Sequence, residues 1–482
     1  MFKGSQLSGE KQKIRSKIAV KNHSLPIDKR IGNFNEVNLG YLKLEEIQEE
    51  CERCFQCFKN KDPEEKPPPC MEFCPTHCNS REIIKNVMEN DIDSALKIIY
   101  EHYPFPRSVE RVCPGYCQLH CTAGKKGNPI QIPLIKRFLA DNFGPSKDYF
   151  ERKADTGKKV AIIGSGPLSL TTAYYLRKYG ISVTVYEKTG SLGGMMAFEI
   201  PEFRLPRNIL NDEISNIKKL GIKFILSKSI SNDFTCEHLF DLGYDIVVIG
   251  IGTHKPRRMD IPGKDSSRVL QGLTFLRNFH LNNQIPNLQG RKVVVIGGGS
   301  TATDAARVSK RLGADVSVLY RREKQQMPAG KHEIQDTEDE GIPISFLVSP
   351  IEYVCTEDEL QGAVCQKVEL GEIDQSGRPT PILIEDSNFQ VEADFIIEAI
   401  GQKPDLNGFD TEKLKTSKAD TIIVNKRFIT SISDVLAGGD CVTGSKSVVE
   451  AVAHGKIIAE QIKSIFAKEQ KNDCMKLEVC DD

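Results

Sequence analysis

Nine of the chain's fifteen cysteines lie between Cys51 and Cys121, at regular spacing. They run Cys51-x2-Cys54-x2-Cys57, Cys70-x3-Cys74-x3-Cys78 and Cys113-x3-Cys117-x3-Cys121, with Pro75 and Pro114 directly after two of them. Short-spaced thiolates with a following proline are what ferredoxin-type cluster motifs present, four ligands to a cluster. Nine suffice for two clusters, whose chemistry is one-electron transfer. The rival is zinc, because Cys54, Cys57, Cys70 and Cys74 could supply a tetrahedral all-thiolate set. A disulfide framework is disfavoured, since the cysteine count is odd and the first residues, Met1-Phe-Lys-Gly-Ser-Gln, lack the apolar run of an export signal. A cytoplasmic location is expected.

Two glycine-rich loops follow. Gly164-Ser-Gly166-Pro167-Leu168-Ser169 stands between an apolar strand (159–163) and a helix, and a second strand (182–187) ends at Glu187. Gly164 permits the tight turn, and Gly166 lets a pyrophosphate approach the helix N-terminus, where unpaired N–H groups favour anions. Glu187 is placed to accept hydrogen bonds from an adenosine ribose. A second glycine pair, Leu192-Gly193-Gly194-Met195, suits a bulky dinucleotide such as FAD. The pattern returns at Gly297-Gly-Gly299-Ser300-Thr301-Ala302-Thr-Asp304. Its second strand ends in Tyr320-Arg321-Arg322, where an NAD site would carry an acid, and two guanidiniums suit the 2′-phosphate of NADPH. A solvated basic strand end is the plainer alternative.

The elements that must hold these residues form a simple order. Residues 1–150 read as a helical domain around the cysteines, with a helix over 43–57, a charged proline-rich loop at 62–69, and helical periodicity over 80–102. Two βαβ units follow, and 244–250, 393–401 and 434–438 read as further strands. The expected domains are 1–150, 151–288, 289–400 and 401–482, the second and fourth being two parts of one. Roughly three domains also fit the length. Lys+Arg is 65 against Asp+Glu 66, which leaves no bulk charge to attract nucleic acid or an anionic membrane. The longest apolar runs, such as 246–251, fall far short of the roughly 20 residues of a membrane helix.

Glu199-Ile-Pro-Glu-Phe-Arg204-Leu-Pro after the glycine pair, with Arg111-Val-Cys113-Pro, Cys74-Pro75 and Gly438-Gly439-Asp440, resembles the small, NADPH-oxidising subunit of glutamate synthase. The chain is also similar to the N-terminal part of dihydropyrimidine dehydrogenase, and the likeness runs from about Asn33 to Gln461. The resemblance implies an all-α iron–sulfur domain followed by two α/β Rossmann-like domains of the glutathione-reductase type, for FAD and NAD(P)H. It implies that Gly164, Gly166, Pro167, Leu168, Glu187, Lys188, Gly194, Met195, Arg204, Ile230, Gly252, Gly439, Asp440, Val448, Val449, Gly297, Gly299, Ser300, Thr301, Ala302, Arg321, Arg322 and Gly401 contact these cofactors. Asp440 would bond the ribityl chain of FAD, and the following helix would point its N-terminus at the flavin. No residue is assigned as catalytic; Glu450 and His454 read as structural.

The family pattern also puts Cys54, Cys57, Cys70 and Cys121 on one 4Fe–4S cluster, and Cys74, Cys113 and Cys117 on a second. The second cluster's fourth ligand in the family is a Glu or Gln, and Lys136 stands at that position. A lysine ammonium cannot ligate iron. Cys78, one helical turn from Cys74 if the segment is helical, is the candidate replacement, while Cys51 reads as a small buried residue. The implied activity passes electrons from NADPH through FAD and the clusters to an external acceptor. That acceptor is a ferredoxin-like carrier or a glutamate-synthase-like large subunit, of which this chain would be the obligate small partner. A homo-oligomer stays open. A non-catalytic electron-transfer or scaffolding subunit is the other alternative, because Leu168 and Ser169 replace the smaller residues usual in such a loop.

Overall fold

The computed structural model describes residues 18–57, 67–145, 147–281, 284–356, 359–374 and 377–478, with side chains of the last helix described to 468. The cysteine-bearing segment is mainly helical, with helices Leu44–Glu52, Ser80–Met88, Ile92–His102, Pro106–Val112 and Ile132–Phe143. A small antiparallel pair, His23–Ser24 with Asn38–Gly40, is its one departure from an all-helical plan among the described residues. The first expected helix stops at Glu52, so Cys54 and Cys57 lie on loop beyond it. Periodicity over 80–102 divides into two helices. Asn90 takes a left-handed turn (φ 58°), and Asp91 caps the second helix by accepting from the Ser94 N–H at 3.0 Å. The proline-rich loop expected at 62–69 lies largely outside the described residues.

The first dinucleotide unit builds a five-stranded parallel sheet. Lys159–Ile163 lies at its centre between Ser182–Tyr186 and Ile246–Ile249, with Lys223–Ile225 and Val435–Ala437 at the edges. The last strand comes from the C-terminal segment, so residues on both sides of the second unit complete one sheet. The second unit forms its own parallel sheet, in the order Ile344–Phe346, Asp315–Tyr320, Lys292–Ile296, Phe395–Glu398 and Val269–Gln271. Val269–Gln271 pairs inside this sheet, so the unit begins before the boundary expected at 289. The chain enters and leaves it through the short antiparallel pair of Lys255–Pro256 and Gln402–Lys403. An antiparallel sheet of Val348–Thr356, Glu359–Ile373, Pro379–Leu383 and Phe389–Glu392 packs beside it, with no counterpart in the sequence reading. No helix among the described residues is long and apolar enough to cross a membrane.

One apolar core runs from the cysteine domain into the first sheet unit without a break, joining Ile83, Leu96 and Ile135 to Val160, Leu176 and Ile462. Polar contacts fix the docking. Glu213 accepts from the Arg107 and Ser108 N–H groups, both at 2.8 Å, and from Ser108 Oγ at 2.6 Å, so it satisfies the first turn of helix Pro106–Val112 across the interface. Glu213→Ala leaves these buried donors without a partner. It is expected to cost about 2–4 kcal/mol, read as a lower denaturation midpoint and faster proteolysis between the cysteine and sheet domains.

Candidate redox centre

The first loop carries its glycines for two different reasons. Gly164 (φ +94°) must stay glycine for the fold, because a Cβ there would stand 2.6 Å from the Gly250 carbonyl oxygen. A Cβ on Gly166 would meet nothing within 4 Å, leaving an open cradle at the N-terminus of helix Pro167–Lys178. Gly299 has the same open face at the N-terminus of helix Ser300–Arg311. Both loops therefore fit a pyrophosphate. Leu168, whose bulk raised the possibility of a lost site, points the other way. Its side chain is buried against Gly250, Gly438 and Gly439, away from the cradle. Gly194 lies against Gly166, so the second glycine pair backs the first loop.

Glu187 is buried and accepts from Ser165 N and Oγ through one oxygen and from Thr189 N and Oγ1 through the other. Lys188 faces Asp405 at 3.9 Å, Met195 opens helix Met195–Phe198, and Gly252 and Gly401 take positive φ after strands of the two sheets. Asp440 follows Gly439 on the short helix Asp440–Thr443 and accepts one long hydrogen bond, from Lys446 N at 3.3 Å. Burial, with the Glu199 and Glu450 charges, pushes its carboxyl up to about 7. An under-bonded carboxylate there suits the hydroxyls of a ribityl chain. Val448 and Val449 begin the long helix Val448–Glu478. Ile230 instead sits in the apolar core with Tyr186 and Phe234. Arg204 crosses to the second unit, with Nη1 2.5 Å from Asp304 Oδ2 and Nη2 on Glu333, and so clasps the two units together.

At the second loop Gly297 (φ +143°) makes the turn, Ser300 Oγ donates to Glu333 at 2.9 Å, and Ala302 is fully buried. Thr301 Oγ1 donates to Glu199 Oε1 at 2.5 Å, and Gln402 Nε2 donates to the same oxygen at 2.7 Å. Glu199, just past the first unit's short helix Met195–Phe198, thus ties that unit to the second loop, and burial holds its carboxyl above the usual range. Gln402 carried no sequence signal, because one polar residue after a glycine turn belongs to no pattern. The two arginines diverge. Arg322 is buried, giving Nε to the Pro379 carbonyl at 2.7 Å and Nη2 to Asp374 at 3.0 Å, while Arg321 is exposed.

The cysteines form two groups. Cys54, Cys57, Cys70 and Cys121 line one cavity. Among the described residues no three His, Cys, Asp or Glu side chains are gathered to hold a single metal ion. Four thiols lining one cavity are the number of cysteine ligands a 4Fe–4S cluster takes. Burial pushes the Cys54 and Cys70 thiols up to about 12. Deeper in, Cys74, Cys78 and Cys117 are buried, and each of Cys78, Cys113 and Cys117 lies within electrostatic reach of Cys74, Lys136 and Glu110. Residues 74–79 are not helical. A turn closed by His77 N on the Cys74 carbonyl at 2.9 Å, with His77 left-handed (φ 52°), brings Cys78 back beside Cys74 instead. Cys51 is fully buried on its helix, and all thirteen cysteines with described side chains are free thiols. Of the scattered cysteines, Cys236, Cys365 and Cys441 are buried and Cys355 is exposed, while Cys480 and the side chain of Cys474 lie outside the described residues.

Two paired α/β units behind a cysteine-rich helical domain define a flavoprotein-type oxidoreductase scaffold. Residues 158–455 match the family described as pyridine nucleotide-disulphide oxidoreductase, and residues 30–147 match dihydropyrimidine dehydrogenase domain II, 4Fe-4S cluster. The chain belongs to the pyridine nucleotide-disulphide oxidoreductase family, within the group that includes the glutamate synthase small chains. It is 30% identical to the NADPH glutamate synthase small chain of Halomonas elongata over 456 residues, 91% of this chain and 94% of that one. It is 36% identical over 421 residues to the beta subunit of the NADP(+)-dependent formate dehydrogenase of Moorella thermoacetica, covering 82% of this chain but only 59% of that longer protein. In fold it is similar to Mycobacterium tuberculosis FprA in complex with NADPH, with TM-score 0.55 and 18% identity over 65% of this chain and 86% of that one.

The two glycines of the first loop separate in experiment. Gly166→Ala is expected to keep its melting temperature within about 1–2 °C while losing flavin at least tenfold. Gly164→Ala is expected to lose stability outright. Flavin absorbance per chain and thermal unfolding distinguish the two.

Proposed function

We propose that the chain takes electrons from NADPH held on the second loop and passes them to FAD on the first. They then travel through an inner and an outer cysteine site to an acceptor outside the chain. When bound, FAD accepts a hydride and releases single electrons, and 4Fe–4S clusters conduct them. The observation that carries this reading is the course of helix Val448–Glu478. It starts just after Asp440, its Glu450 accepts from the Tyr116 hydroxyl at 3.0 Å beside Cys117, and its Lys456 lies within electrostatic reach of Cys74 and Cys78. The inner site thus adjoins the flavin-facing helix, and the outer site lies beyond it. Glu199, Thr301 and Gln402 hold the two loops in register, and no side chain has to move a proton for hydride transfer.

The outer site supports an external acceptor. Phe73, 45% exposed and stacked on His120, and Leu119, 66% exposed, flank it, and Lys125 and Lys126 are exposed beside Cys121. An apolar centre edged by lysines suits an acidic one-electron carrier of the ferredoxin type. A second reading, docking of a large subunit on this face, is favoured by the relatives that are themselves named as subunits.

Two measurements test the proposal. The purified chain, kept anaerobic, is expected to reduce ferredoxin with NADPH. Lys125→Glu with Lys126→Glu should raise KM for the carrier several-fold while leaving dye reduction unchanged. Equal effects on carrier and dye would place the docking elsewhere. Arg321→Ser is expected to raise KM for NADPH at least tenfold with NADH little affected, whereas Arg322→Ser, which removes a buried guanidinium bonded to the Pro379 carbonyl and Asp374, should lower stability.

A further inference from the structure

The geometry points to an inner iron–sulfur site made entirely of cysteine, from Cys74, Cys78, Cys113 and Cys117, with Lys136 built in as a fixed counter-charge. The inference rests on the relay proposed above and specifies its middle step.

Cys78 is fully buried, in the core that also holds Cys74 and Cys117. The turn at 74–77 aims it at the same surroundings as Cys74. The Tyr103 hydroxyl lies 3.8 Å from Cys74 Sγ and within electrostatic reach of Cys78. Cys113 and Cys117 enter on either side of left-handed Gly115 (φ +75°), which starts the short helix Tyr116–Leu119. Cys74, Cys78 and Cys117 are buried in one core and half-buried Cys113 packs against it, so two chain segments bring four thiols to one place.

Lys136 comes to that setting from helix Ile132–Phe143, 2% exposed. Its Nζ is 2.6 Å from Glu110 Oε1 and donates to the Tyr103 hydroxyl at 3.0 Å. An ammonium offers three donors and no lone pair, so it cannot bind iron. It can offset part of the negative charge that buried thiolates and a cluster impose. Glu110, with neither oxygen otherwise hydrogen-bonded, keeps the ammonium in place. On taking up a preassembled cluster, each of the four thiols would give its proton to solvent and bond one iron through sulfur, displacing the terminal thiolate that held that iron on its carrier, with no change of oxidation state.

The test uses the full chain, purified anaerobically, with iron, sulfide and flavin assays and electron paramagnetic resonance of the reduced protein. Unsubstituted protein should hold about eight irons per flavin. Cys78→Ala is expected to fall to about four, or to convert the inner signal to a three-iron type, with flavin and the outer signal retained. Cys51→Ala, also buried, should change nothing. The double variant Lys136→Met, Glu110→Gln, which removes both charges together, should keep its full iron. Pulsed resonance on unsubstituted protein should show no nitrogen bonded to the inner cluster, a measurement independent of how any variant folds. Full iron and both signals in Cys78→Ala, iron loss in the double variant, or a directly coupled nitrogen would each overturn the assignment. Failure of the relay reading looks different: unsubstituted chain that purifies without flavin or iron.

Discussion

The close crossing of helices Pro167–Lys178 and Val448–Glu478 is the contact on which the arrangement depends. At Gly455 the second helix passes so near the first that a Cβ would stand 2.5 Å from the Leu168 carbonyl oxygen, and Thr172 Oγ1 donates to the Gly455 carbonyl at 3.2 Å. The crossing presses the C-terminal segment onto the first dinucleotide unit and lets Val435–Ala437 finish its sheet. It also sets the long helix between the flavin cradle and the cysteine domain. Any side chain at 455 would widen this gap and move Glu450 and Lys456 away from Tyr116 and the inner thiols. How closely the long helix approaches the first glycine loop is therefore governed by one small residue.

Charge organises the second interface. Arg204 sits between Asp304 and Glu333, and Arg307 and Arg311 share Glu340 while stacking over Phe203. The segment before the cysteines joins the same group, since Arg30 reaches Asp336 at 3.0 Å and Val37 N donates to the Phe203 carbonyl at 2.9 Å. These ions are buried, so removing one partner costs far more than the pair contributes. Their value lies in specifying one orientation of the second dinucleotide unit against the first. Hydride transfer needs that orientation, because it works only at contact distance.

Much of this was legible in the chain because it depends on local rules. A strand, a glycine turn and a helix announce a dinucleotide loop by spacing alone, and Gly164, Gly166, Gly297 and Gly299 all stand where that grammar puts them. Cys54, Cys57, Cys70 and Cys121 likewise share a cavity. What failed depended on long-range contacts. Val269–Gln271 is three residues long and gains its identity from pairing with Phe395–Glu398, more than a hundred positions away. The antiparallel sheet at 348–392 has irregular alternation and bulges, so periodicity did not reveal it. Cys78 was credited to a helical turn, yet a left-handed His77 does the work, and left-handed non-glycine residues have no reliable sequence signature.

The two loops share one grammar but are set up for different ligands, and the difference lies at the strand ends, not in the glycines. After the first, Glu187 has both oxygens occupied by Ser165 and Thr189, which fixes a carboxylate edge beside the cradle. After the second, Arg322 is drawn into the protein by Asp374, just past one strand of the antiparallel sheet, and by Pro379, which opens the next, and Arg321 is left facing outward. Both arginines lie just past strand Asp315–Tyr320, where the chain bends, and the bend sends the two side chains to different places. A paired Arg-Arg therefore encodes a division of labour: one guanidinium ties the neighbouring sheet to the dinucleotide unit, and that tie holds the other at the rim where a phosphate would arrive.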